Sequence, residues 1–175
     1  DVWPIWVGNQ SPQVPAKLRD YEAWLAQLMQ VAVAHDSEVR LYVFSDHGMA
    51  NCTQVVDLKG VIEALPLRFG HDYAAVYDST MARFWFFSPQ ARQQIVAALQ
   101  AQSPGRILPE AELQRLGALF PDRYFGELIF LMPEGALIAP SHMGERPIYA
   151  MHGYHPSEPQ SYAALCTTQP AIPEE

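Results

Sequence analysis

The sequence predicts an α/β fold: a sheet with flanking helices, interrupted by a smaller α+β insertion. Three observations carry this expectation. A long amphipathic helix leads into a short, continuously apolar strand, Val39 to Phe44, the pattern of a layer covered on both faces. Between residues 66 and 146 the style changes to two hairpins and two helices. Two segments rich in metal-binding side chains, around Asp46 and His152, flank that stretch, and strand ends on one edge of an open sheet are the usual place for α/β sites.

Each element has its own local cause. Asp1 to Gln13 reads as loop, broken by Pro4, Gly8, Asn9, Ser11 and Pro12. Leu18, Tyr21, Trp24, Leu25, Leu28, Met29 and Ala32 recur at three- and four-residue spacing and predict a helix from Pro15 to His35. A turn at Asp36-Ser37 precedes the strand Val39 to Phe44. Asp57 to Leu65 reads as a short helix. Tyr73 to Tyr77 and Ala82 to Phe87 read as a hairpin around Asp78-Ser79-Thr80. Ser88 is the expected N-cap and Pro89 the first residue of a helix running to Ala101. Pro109 to Gly117 is a further helix, with Glu110 and Glu112 favourably placed in its first turn. Leu128 to Met132 and Ala136 to Ala139 read as a second hairpin around Pro133-Glu134-Gly135, and Tyr162 to Thr167 as a closing strand. The Pro-rich tail is expected to fray.

Composition narrows the function. The 175 residues are 49% hydrophobic and 17% charged, enough for one domain with a core. A net charge of −8, without basic clusters, argues against broad binding of nucleic-acid polymers or anionic membranes. A phosphorylated substrate would need local attraction, which bound cations supply. Cys52 and Cys166 are too few for a disulfide framework and form no zinc-type pair, so they name no compartment. No apolar run approaches the roughly 18 residues of a membrane span. No signal peptide is evident and the chain does not begin with Met, compatible with a processed protein or an excised fragment.

The chemistry concentrates in Ser45-Asp46-His47-Gly48-Met49. Adjacent strand residues point to opposite faces, so Asp46 and His47 reach one ion only if the strand has ended, and Gly48 permits that exit. An oxygen and a nitrogen donor suit Zn²⁺ or Mn²⁺ better than Ca²⁺. The plain alternative is a capped turn with a polar surface histidine. His152, in Met151-His152-Gly153-Tyr154, and His142 read alone as hydrogen-bonded structural residues, and His35 and His71 as solvated ones. No nucleophile is marked: there is no G-x-S-x-G elbow, P-loop or G-x-G-x-x-G.

Taken together, Ser45–Met49 followed by Met151–Tyr154 resembles the alkaline phosphatase superfamily, specifically its type I phosphodiesterase/nucleotide pyrophosphatase branch. Met81-Ala82-Arg83-Phe84-Trp85-Phe86 and Glu127-Leu128-Ile129-Phe130 resemble segments between that branch's two metal motifs. The resemblance implies a partial alkaline-phosphatase-like sheet. Residues 1–65 and 147–170 would form its metal-site core, 66–146 the inserted subdomain and 171–175 a frayed tail. It also implies a small phosphate-ester substrate and two divalent ions, usually zinc, with manganese an option. Asp46 and His47 would bind one ion. His152 would bind the other with the family's D-x-x-x-H pair, whose Asp matches Asp1.

The same alignment puts Ile5 where the family has His, so that site is weakened unless His142 or His155 substitutes. The family has Asp at the place of His155, and its nucleophile lies upstream of Asp1. The resemblance therefore implies the C-terminal part of a phosphodiesterase-like metallohydrolase, with no catalytic nucleophile of its own and little turnover in isolation. Its partner would be the N-terminal part of the same domain. The rival reading is a non-catalytic relative used for binding or assembly.

Overall fold

The computed structural model describes residues 2–101 and 104–169, with only the backbone of residues 2–4. Asp1 and the predicted frayed tail, 171–175, lie outside the described residues.

The N-terminal stretch expected as loop contains a short helix, α1 (Val2–Val7). Pro4 is tolerated because first-turn N–H groups have no intrahelical acceptor to lose. The amphipathic helix forms as α2 (Gln13–His35), yet none of its residues is buried. Leu18, Tyr21, Trp24 and Leu28 all stand exposed along its apolar stripe.

Strand β1 (Tyr42–Phe44) is shorter than expected and is not covered on both faces: Tyr42 and Phe44 are exposed, Phe44 by 75%. Its partner in the ladder is the closing strand β10 (Leu165–Thr167), antiparallel, with Val43 opposite Cys166. Two strands missed from sequence follow it. These are β2 (Ala50–Asn51), which pairs antiparallel with β9 (Ala150–Met151), and β3 (Gln54–Val56), which pairs parallel with β8 (Ala136–Ile138). Two- and three-residue strands are too short to show a period of two.

Helix α3 (Leu58–Glu63) starts where Asp57 accepts a hydrogen bond from the Gly60 amide at 2.8 Å. The hairpin of β4 (Tyr73–Tyr77) and β5 (Met81–Phe86) forms as expected, with Ala75 opposite Phe84. Ser88 caps α4 (Pro89–Gln100) through the Ala91 amide, with Pro89 in the first turn. After β6 (Arg106–Ile107) and α5 (Glu110–Arg115), strand β7 (Leu128–Leu131) completes an antiparallel sheet of order β4-β5-β7-β6.

The second expected hairpin does not form. β7 is buried throughout and already flanked by β5 and β6, so no edge remains for β8. Gly135, at φ 84°, turns the chain away to lie beside β3 instead. That pairing joins strands on either side of residue 66. The larger of two apolar cores supports the arrangement: Leu58 and Ile62 of α3, Ile95 and Leu99 of α4, Phe84, Phe130 and Ile138 are all fully or almost fully buried.

Candidate metal centre

The β2–β9 ladder sets the site. Ala50 opposite Met151 puts the loop entering β2 beside the loop leaving β9, so His47 and His152 become neighbours. Their rings stack, with centroids 3.7 Å apart and planes 19° from parallel. His152 follows the last residue of β9, and Thr80 Oγ1 donates to the Gly153 carbonyl oxygen at 3.0 Å. Gly153 has φ 88°, and a Cβ there would sit 2.9 Å from Thr80 Oγ1, so both conformation and space call for glycine.

The Asp46–His47 loop is held by its flank. Ser45 N–H donates to the Ala164 carbonyl at 3.0 Å, and the Ala164 amide donates to Ser45 Oγ at 2.8 Å. Gly48 N–H donates to the Ser161 carbonyl at 3.1 Å. A methyl group at Gly48 would collide with the Gln160 carbonyl oxygen, so this close approach excludes any larger residue.

Within the loop, His47 Nδ1 lies 2.7 Å from the Gly48 carbonyl oxygen. A carbonyl only accepts, so Nδ1 carries a proton, and in the neutral imidazole Nε2 keeps its lone pair. That Nε2 stands 3.4 Å from Asp46 Oδ1. With the imidazole neutral, these two acceptor atoms could share a cation between them. Donors about 2.0–2.1 Å from a tetrahedral ion lie about 3.3–3.4 Å apart, so the spacing fits zinc. The Nδ1–carbonyl bond is the kind of partner that orients a ligating imidazole.

The stack adds a second constraint. Histidine ligates through a lone pair in the ring plane, so two nearly parallel rings do not aim at one point between them. They suit neighbouring ions, and two-metal sites hold ions about 3.5–4 Å apart. Burial, and next the neighbouring His47, hold His152 below the ordinary histidine pKa, against the opposite pull of Asp46.

The other sequence candidates lie elsewhere. His142 closes the open edge of β4: its amide donates to the Tyr77 carbonyl at 2.7 Å, and Tyr77 N–H donates to His142 Nδ1 at 3.1 Å. His155 Nε2 lies 3.0 Å from Glu112 Oε1, and its Nδ1 is 2.6 Å from Ser157 Oγ. Ile5 offers its carbonyl to the Tyr149 amide at 2.9 Å. Asp1 lies outside the described residues. Among the described residues, no group of three or more His, Cys, Asp or Glu is gathered to hold one ion. His71 is exposed and bonded to Asp72, and His35 is exposed at the end of α2. Cys52 and Cys166 are both free; burial raises the Cys52 thiol pKa. No helix is long and apolar enough to cross a membrane among the described residues.

Sequence reasoning missed Thr80, Asn9 and Asn51. Thr80 in a hairpin turn and Asn9 beside a glycine read only as turn formers.

Residues 6–155 match the family described as Type I phosphodiesterase / nucleotide pyrophosphatase. No curated protein matches the chain. Among solved structures it is similar to murine ectonucleotide pyrophosphatase / phosphodiesterase 5, with a TM-score of 0.76 and 20% identity over 96% of this chain and 44% of that one. The human counterpart gives 0.75 and 18%, over 95% and 44%. Phosphonoacetate hydrolase from Sinorhizobium meliloti 1021, in complex with phosphonoformate, gives 0.65 and 16%, over 93% and 43%. The chain thus spans less than half the length of these structures.

Proposed function

The chain belongs to the type I phosphodiesterase / nucleotide pyrophosphatase family, and from that premise we propose that it is the metal-holding part of a phosphoric ester hydrolase acting on a small phosphodiester. The observation that carries this reading is the approach of two potential ligand atoms, His47 Nε2 and Asp46 Oδ1, which face each other at 3.4 Å. Asp46 and His47 would hold one divalent ion, zinc in preference to manganese. His152 would hold a second, with Asp1 as its further ligand. Ions held there supply charge for the phosphoryl oxygens and activate a nucleophile. The chain's own residues orient them. Gly48 O fixes the His47 tautomer, Thr80 steadies the His152 loop, and the β2–β9 ladder keeps both imidazoles on one edge.

The same reading names an occupant for the bare stripe of α2. Leu18, Tyr21, Trp24 and Leu28 are 44–60% exposed, an apolar face that a stable fold covers. The solved relatives are more than twice as long as the matched region. We assign that face to another part of the same domain. A longer chain carrying it should protect the amides of α2 from hydrogen exchange, and unchanged exchange would refute the assignment.

The test of function joins metal analysis to hydrolysis. Purified protein should carry zinc or manganese, and His47→Ala and His152→Ala should each lower the content. Bis-p-nitrophenyl phosphate should be cleaved in preference to the monoester by the intact protein. Stoichiometric metal absent from the wild type would favour the rival reading, a non-catalytic relative, which Ile5 at the family's histidine position supports.

A further inference from the structure

We infer that Asn9 is a positioning residue for the His47 loop, an inference that rests on the metal-centre reading given above. Asn9 is held there by its backbone and holds by its side chain. Asn9 N–H donates to Asn51 Oδ1 at 2.7 Å, and the Asn9 side-chain amide donates to the Met49 carbonyl oxygen. Met49 lies two residues beyond His47 and directly before β2, while Asn51 is the second residue of β2. One residue of the α1–α2 connection thus grips the His47 segment at two places.

The connection is shaped for that grip. Gly8 leaves α1 at φ 77°, a conformation other residues adopt only with strain. Its Cα faces Asn51: a Cβ there would lie 3.4 Å from Asn51 Oδ1. Ile5, one turn earlier, is tied to the β9 side through the Tyr149 amide, and the Tyr149 carbonyl accepts from Cys52 N–H at 2.8 Å. These bonds join α1, β2 and β9, the elements that carry the proposed ligands or adjoin them.

The grip has an opposing partner. Gly48 and Ser45 are bound to the 161–164 segment, and Asn9 holds the loop at Met49 on behalf of another element. With Asn9 truncated, the loop keeps its ties to residues 161–164 and loses the side-chain tie to the α1–α2 connection. His47 Nε2 then samples positions beyond the tetrahedral bite it shares with Asp46. Loss of an outer-shell partner of a metal ligand typically costs 10–100-fold in affinity, and that range is the effect expected here.

Three variants separate positioning from mere support. Asn9→Ala removes the donor to Met49. Asn51→Ala removes the acceptor for Asn9 N–H, and Asn51→Asp keeps an acceptor oxygen in its place. Zn²⁺ titrated into each by calorimetry should bind about 10–100-fold more weakly to Asn9→Ala and Asn51→Ala than to wild type, with Asn51→Asp close to wild type. In the metal-free protein, exchange of the Gly48 amide should quicken in the two alanine variants while amides of α4 keep their protection, which shows the variants folded. Wild-type zinc affinity together with unchanged Gly48 exchange in Asn9→Ala would overturn the inference. A wild type that takes up no zinc would instead strike down the metal-centre reading, and the Gly48 exchange rate would then decide alone whether Asn9 holds the loop.

Discussion

His47 lies flat against His152, ring centroids 3.7 Å apart, although 104 residues of chain separate them. Two polar rings pressed together at the edge of a two-residue ladder are not a packing motif that hydrophobic burial would select. In the proposed metal centre their lone pairs, together with the carboxylate of Asp46 beside His47, would meet bound cations.

Zinc should therefore act as a folding ligand. At a free concentration about one hundred times its dissociation constant, a ligand that binds only the native state adds about 2.7 kcal/mol of stability. For a domain of this size that raises the melting temperature by about 5–10 °C. Asp46→Ala and His47→Ala should each shrink the shift, and a chelator should reverse it. A melting temperature indifferent to zinc in the wild type would contradict the site.

Gly48 should tolerate no side chain. Gly48→Ala pushes a methyl group into the Gln160 carbonyl oxygen, a backbone atom that cannot rotate away. Overpacking of this kind costs about 1–3 kcal/mol, read as a lower urea midpoint at unchanged slope. A variant as stable as wild type would mean that the 160–162 segment yields freely.

Acid should loosen the tie between α5 and β6. Arg106 grips Glu112 with two bonds of 2.7 Å and holds its carboxyl down to about 2, with His155 and Arg115 adding to the pull. A carboxyl whose folded pKa is depressed contributes stability that is complete above its unfolded value of 4.5 and fades as pH falls toward 2. Glu112→Gln removes that dependence. Its stability should lie below wild type at pH 7 and converge with it near pH 2, and parallel curves across that window would refute the coupling.

How much of this was legible in the sequence follows from the range of each interaction. Ser88-Pro89 announces a helix start through its own next three residues, and the Tyr73–Phe86 hairpin through alternation around a short turn, so both appear where expected. β8 gave a strand signal but not its partner. Nothing local in Ala136-Leu137-Ile138 says that it will run parallel to Gln54–Val56 rather than fold back on Leu128–Leu131; the occupied edges of β7 decide that. The stripe of α2 was read correctly as apolar, yet periodicity reports only that a face seeks cover, not that the described residues provide it. Asp46, His47 and His152 stand out in the sequence through residue type and motif, and the structure brings these three side chains together. Asn9, Asn51 and Thr80 act through an amide or hydroxyl placed by distant pairing, and side chains of that kind look the same in any turn.

Thr80 offers the cleanest test of that distant support. The residue is buried in the β4–β5 turn, its carbonyl accepts from the Met132 amide at 2.9 Å, and its hydroxyl reaches across to the Gly153 carbonyl. Thr80→Val keeps the shape and deletes the donor, so the Gly153 carbonyl loses that hydrogen bond at a cost of about 0.5–1.5 kcal/mol. Thr80→Ser keeps the donor and loses one methyl, so it should retain most of the stability. Since the bond fixes the residue after His152, Thr80→Val should weaken zinc binding as well, whereas Thr80→Ser should not. Equal stability and equal zinc affinity in the valine variant would show that the His152 loop is set by the β2–β9 ladder alone.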